Sequence, residues 1–210
     1  MHVLIDDQRV TVGEATLSAA FDAARAHATG RKRVVVGAWI DGEAVDDDRL
    51  ESPGDEPLNG AEVRFVTANP FALVRETMLE VAENLHAARH EQGAAAQMIQ
   101  LGRMDEALGH LGTALQTWDM VRQVVMHGAA LLGLPLETVK VSLDVEGEPA
   151  EVVVAACVDR LSINLQELKR AMVDKDWTGL ADLLGHEMQH EADRWRSLLV
   201  GLADIVGARG

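Results

Sequence analysis

The apolar residues of this chain change period once, at Asn69-Pro70, and that change limits what it can fold into. Before it they alternate or form short β-branched runs: Val3-Leu4-Ile5, Val10-Thr11-Val12, Val34-Val35-Val36 through Ile40, and residues 62–67. These are strand signals. After it they recur every three or four residues, the spacing of one face of an α-helix. The pattern predicts an α+β chain with a strand-rich domain over 1–68 and a helical domain over 70–207.

In the first part, Asp6-Asp7-Gln8 reads as the polar turn of a hairpin, and Asp41-Gly42 as a second turn. Leu17, Ala20, Phe21 and Ala24 share a face of a helix over 15–29, with Gly30 placed to end it. Residues 46–60, with Pro53, Gly54, Pro57 and Gly60, read as a polar loop. The order ββαββ in so short a stretch resembles the β-grasp (ubiquitin-like) fold. The resemblance implies one of two roles. A protein modifier or sulfur carrier needs a free Gly-Gly end. Here the domain continues into Asn69-Pro70 and the chain ends Ala208-Arg209-Gly210, which disfavours that role. A docking module uses its sheet face or an edge strand.

In the second part, Asn69 is a fitting N-cap and Pro70 a fitting first helical residue. Val74, Met78, Val81, Leu85, Ala88, Ala95 and Ile99 form the stripe of a first helix that Gly93 can bend and Gly102 ends. A second helix starts near Asp105 and buries Ala107, Leu111, Leu115, Trp118, Val125 and Leu132; Gly109 and Gly112 would permit close helix approach at its start. Residues 134–147 form a break, either a short strand or an extended crossover. A third helix begins at Pro149, with the seam Val154, Val158, Leu161, Leu165, Leu168 and Met172. Asp176 caps a fourth, over residues 175–206, whose stripe is Trp177, Leu180, Leu184, Met188, Ala192, Trp195, Leu199, Leu202 and Val206. Four such helices with short first and last connections predict an antiparallel four-helix bundle. The turn from Gln100 to Leu108 resembles the middle of a tetratricopeptide repeat, but only one copy is present, which argues against a solenoid.

The fourth helix carries His186-Glu187-Met188-Gln189-His190, an HExxH sequence. Its two histidines at i and i+4 have the spacing of zinc ligands, with Glu187 placed to activate water. The alternative reading that follows is a zinc-dependent metallopeptidase using His186, His190 and Glu187. Two features oppose it. Both histidines lie about 160° from the apolar stripe, on the polar side of the helix. Glu191, Asp193 and Asp204, the carboxylates that follow, match no zincin extension, and a catalytic zinc needs a third ligand. Glu83-Asn84-Leu85-His86 and Glu187–His190 are both ExxH sequences, and together resemble those of di-iron carboxylate bundles. The resemblance implies inward-facing ligands, whereas Glu83, His86 and His90 lie about 140–180° from their helix's apolar centre. No cofactor is therefore expected.

Composition bounds the rest. The formal net charge is −15, spread over both parts: residues 1–70 carry 7 basic and 13 acidic groups, residues 71–210 carry 12 and 21. Such a chain is not expected to bind nucleic acid or an anionic membrane surface. The basic run Arg31-Lys32-Arg33 reads as a solvated strand entry. Cys157 is the one cysteine, expected as a small buried hydrophobe. No stretch reaches the length of a membrane span, and the chain opens without a signal-peptide pattern, so a cytoplasmic protein is expected.

The helical part resembles the flagellar export chaperones, through the Gly102 turn leading to Trp118 and the segment Asp176-Trp177 to Leu184. That resemblance implies a small acidic helical protein that holds a terminal helix of an export substrate. The predicted function is a non-catalytic protein-interaction module, adaptor or chaperone-like, with a protein partner or a second copy of itself. The candidate surface is apolar residues off the main stripes: Leu183, Leu198 and Ile205 on the fourth helix, Val124 and Leu131 on the second. The fourth helix wedged between two neighbours in the same chain would explain its three residues equally well.

Overall fold

The computed structural model describes residues 1–145 and 148–210 and is a mixed α+β protein. It divides into two compact units, Met1–Leu73 and Val74–Gly210.

The N-terminal unit runs β1 (His2–Ile5), β2 (Gln8–Val10), α1 (Leu17–Gly30), β3 (Val34–Ile40), β4 (Glu43–Ala44), α2 (Asp47–Glu51) and β5 (Glu62–Ala68). The sheet order is β2-β1-β5-β3-β4, with β1 and β5 parallel and the other pairs antiparallel. Both expected turns form with left-handed backbone at Asp6, Asp7, Asp41 and Gly42, the twist a two-residue hairpin requires. Alternation decides what is buried. Val3 and Ile5 on β1, Ala38 on β3, and Val63 and Phe65 on β5 face Leu17, Ala20, Phe21 and Ala24 of α1 in one core. Two expectations are corrected. Gly30 remains helical, and the left-handed residue after α1 is Lys32. The polar loop contains α2, because the Asp46 carboxylate accepts from Arg49 N–H and caps a short turn of helix.

The second unit takes up most of α3 (Pro70–Gln100), then α4 (Met104–Leu132), β6 (Lys140–Val145), β7 (Glu148–Val153), α5 (Val154–Asp174), α6 (Trp177–Asp182), a π-helical turn (Leu183–Glu187) and α7 (Met188–Gly207). The α3 start is capped as expected, Asn69 Oδ1 accepting from the N–H groups of Phe71 and Ala72. The third helix does not begin at Pro149. Residues 148–153 pair antiparallel with β6, and α5 starts at Val154. A proline that suits the first turn of a helix also suits an exposed strand edge, where its missing N–H goes unused. Two glycines mark close approach: a side chain at Gly128 would meet Val74, and one at Gly201 would run into Val141 of β6. Gly109 and Gly112, by contrast, face open space.

The fourth helix is not a single α-helix. Leu180, Leu184, Met188 and Ala192, all buried, are three consecutive steps of four residues. In an ideal α-helix each step drifts by about 40°. The wide turn over Leu183–Glu187, in which Met188 N–H reaches back to Leu183 O, absorbs the extra residue and keeps the four on one buried side.

Candidate functional site

The HExxH sequence straddles this wide turn: His186 and Glu187 end it, and His190 lies in the first turn of α7. All three side chains are exposed. Beside them, α3 and α7 are joined by ion pairs between Arg89 and Asp193 (3.4 Å) and between Glu83 and Arg196 (3.7 Å). A shallow cleft of about 470 Å³ opens there, lined by His86, Arg89, His90, Gly93, Ala94, Gln97 and Gln189. Of the HExxH residues only Gln189 enters it. Among the described residues no three His, Cys, Asp or Glu side chains are grouped to hold a metal ion. A catalytic zinc takes three protein ligands and keeps one position open, and the two histidines of the motif are exposed on the helix. Nearby, His110 Nδ1 lies 2.6 Å from Glu91 Oε2, with His90 farther off at 3.7 Å. The His110 hydrogen bond is the main reason the Glu91 carboxyl is held below its ordinary pKa.

The residues placed on the candidate interaction surface separate. Leu131 is 47% exposed and Val124 is half-buried. With the exposed Met120 they recur at steps of four and seven on α4, which puts all three on one stripe. Leu183 and Ile205 are half-buried. Leu198 is 0% exposed and belongs to the core. The same flank of α7 carries Glu191, which meets Arg160 of α5, so another element of the unit covers it. Leu198 is thus withdrawn from the surface.

Gln92 and Glu191 are buried polar residues that the helical stripes do not predict. Gln92 is 1% exposed. Its amide fits one orientation only, in which Nε2 donates to Met188 O (3.1 Å) and Oε1 accepts from Trp118 Nε1 (2.6 Å). One side chain thus ties α3, α4 and the start of α7. The signal was present: Gln92 falls in the gap of the α3 stripe between Ala88 and Ala95. Glu191, also 1% exposed, has Arg160 Nε 3.1 Å from Oε2. The distance is that of an ion pair but the alignment is not that of a hydrogen bond, and neither carboxylate oxygen has a hydrogen-bond partner. Its signal was its angle, about 60° from Met188 and so within the apolar stripe. Cys157 of α5, buried as expected, lies close by: burial pushes its thiol pKa up, with Arg194 pulling the other way. A thiol in that state is a poor nucleophile.

Among the described residues no helix is long and apolar enough to cross a membrane. No protein-family model matches this chain, and neither a curated protein nor a solved structure matches it.

Proposed function

We propose that this protein is a non-catalytic protein-interaction module, an adaptor or chaperone-like protein, built from a β-grasp-like domain and an antiparallel four-helix bundle. The β-grasp reading is supported by the strand order, the parallel pairing of β1 with β5, and α1 lying on one face of the sheet. The bundle reading is supported by four long helical stretches, α3, α4, α5 and the α6–α7 path, with short first and last connections.

The observation that carries the interaction role is the apolar stripe Met120, Val124 and Leu131 on α4. Isolated exposed leucines are ordinary, but three apolar residues in helical register form a strip that a partner helix can cover. With a net charge of −15, the partner favoured is a basic amphipathic segment, and its association weakens as salt rises. The metallopeptidase alternative is weakened by the exposure of His186, Glu187 and His190, and among the described residues no third ligand is grouped with them.

The test is capture from an extract of the source cells on immobilised protein, comparing the natural chain with Met120→Glu/Leu131→Glu. The expected result is a discrete basic protein, retained at low salt and lost in the double variant while the variant's circular dichroism is unchanged. Identical retention by a folded double variant overturns the surface.

A further inference from the structure

On the outer side of α4 one line of residues runs from Gly109 to Leu131 without a charge. Gly109, Thr113, Gln116 and Met120, then Val124, His127 and Leu131, all lie within about 40° of Met120 around the helix. Val124 is half-buried and the others are exposed. Charged residues make up 25% of the chain, yet between these ends the Asp, Glu, Lys and Arg residues are Asp119 and Arg122 alone. Both lie off the line and pair with each other at 2.9 Å. The line is also graded in size. A side chain at Gly109 would meet nothing within 4 Å, although glycine inside a helix costs stability against alanine. At the other end stand Val124 and Leu131. The steps along it are 4, 3, 4, 4, 3 and 4 residues, the same from either end, with Met120 at the centre. Such a spacing stays close to 3.6 residues per turn, so the line follows a nearly straight helix.

We propose that α4 packs against α4 of a second copy of this chain, antiparallel, about a two-fold axis at Met120. This rests on the reading of α4 as an interaction face and names what covers that face when no other partner does. In that register Gly109 receives Leu131 of the second copy, Thr113 meets its His127, Gln116 meets its Val124, and Met120 meets Met120. The large end of each helix fills the gap at the small end of the other. A parallel copy would crowd Leu131 against Leu131 and leave Gly109 facing Gly109. The polar pair fits as well. The Thr113 hydroxyl donates to Gly109 O in its own helix (3.3 Å) and keeps lone pairs for a His127 ring N–H. Charge gives a second reason for a copy. Two chains of net charge −15 repel where their acidic surfaces meet, so a contact between copies needs a face free of carboxylates. This line supplies one about 33 Å long, at 1.5 Å per residue.

Sedimentation equilibrium over a wide concentration range tests the pairing. The mass should rise from 22.7 kDa toward twice that value as protein is added. Gly109→Leu fills the gap that Leu131 enters and should raise the dissociation constant about tenfold or more. The variant chain itself should melt no lower than the natural one, because the new side chain meets open space and leucine favours helix over glycine. Gly109→Leu/Leu131→Ala exchanges the sizes of the two ends and should recover the dimer. Met120→Cys, on the axis, should cross-link to itself under mild oxidation, whereas Met126→Cys, about 120° around the helix, should not. The natural Cys157 is buried and does not interfere. A mass of one chain at every concentration overturns the pairing, as does a dimer that Gly109→Leu leaves unchanged. Capture of a basic protein is a separate readout: a dimer that forms while no basic protein is captured leaves the pairing standing and removes that partner.

Discussion

Thr67 in the N-terminal unit and Glu191 in the helical unit are both buried polar residues, and their surroundings are opposite. Thr67 sits near the end of β5, at a rim that water reaches. Its N–H and hydroxyl donate to the two oxygens of Asp6 (2.8 and 2.6 Å), and its hydroxyl and carbonyl oxygens accept from Arg33 (2.6 and 2.5 Å). Glu191 lies inside a helical core with Arg160 beside it and, among the described residues, no aligned donor. The unpartnered buried atoms among the described residues all fall on one stretch of α7, on Glu191, Arg194, Trp195 and Arg196. A hydrogen-bonded polar group at a rim costs the fold little, whereas a charge in the core depends on its one partner. Cutting each arrangement in turn tests whether that contrast holds.

The largest effect is expected from Arg160→Met, which leaves the Glu191 charge buried alone. Removing one member of a buried pair costs about 3–5 kcal/mol, and the lower end applies because the Arg160 side chain is 55% exposed. Adding Glu191→Leu should restore stability to the natural level or above it, because the stranded charge goes with it. Urea unfolding midpoints measure both. If Arg160→Met costs less than about 0.5 kcal/mol, as an ordinary surface pair does, the contrast with Thr67 is gone.

Gln92→Leu comes next. It strands Trp118 Nε1 and Met188 O in the core and should cost about 2 kcal/mol. Adding Trp118→Phe removes one stranded donor, so the double variant should lose less than the sum of the singles. Strict additivity would mean that the bridge between α3 and α4 does not act as a unit.

How much of this was legible depends on how local its cause is. Asp6-Asp7 and Asp41-Gly42 announce their turns because left-handed backbone is a property of the residues themselves, and Asn69-Pro70 announces a helix start for the same reason. Residues 149–153 of the β7 strand read as helix because Pro149 fits either element, and only pairing with Lys140–Val145, a tertiary fact, decides between them. The wide turn was written in the spacing 180, 184, 188, 192, but a fixed rotation per residue cannot show it. At the candidate site, the spacing of His186 and His190 was enough to put both on the polar side of their helix. Leu198 fits a surface or a covered flank equally well by sequence, and nothing in the sequence beyond its angle marks Glu191 as buried beside it, because whether a flank is free depends on the neighbour that covers it.

A smaller effect is expected at Thr67. Thr67→Val removes the hydroxyl from the Asp6 and Arg33 network and should cost about 1 kcal/mol. It should also change how the N-terminal unit responds to acid. The Thr67 hydroxyl, then its N–H, and less strongly Arg33, hold the Asp6 carboxyl below its ordinary pKa. The folded unit therefore binds that proton more weakly than the unfolded chain. The stability Asp6 contributes is complete above the ordinary aspartate value near 3.9 and is lost as pH falls through the lowered one. Amide exchange in β1 and β5, followed from about pH 5 to about pH 2, should show protection falling with acid in the natural chain and falling less in Thr67→Val. Equal slopes would mean that the short contacts to Thr67 do not hold the Asp6 charge.

The smallest effect is expected where the sequence motif draws most attention. Glu187 and His190 are solvated side chains on a helix whose stability comes from its other face, and no pairing of Glu187 with a cation appears among the described residues. Glu187→Gln keeps the shape and removes the charge, and exposed changes of that kind stay within about 0.5 kcal/mol. Its melting curve should overlay that of the natural chain. The decisive arm is calorimetric titration with zinc. Two exposed histidines one turn apart make a weak, water-exchanging site, so binding should be removed by a chelator and unaffected by Glu187→Gln. A water-activating carboxylate in a working zinc centre behaves otherwise: zinc would resist chelation, and peptide hydrolysis would vanish in Glu187→Gln while zinc stayed bound. That result would move the chemistry of this protein onto the π turn and reduce the α4 stripe to an ordinary helix surface.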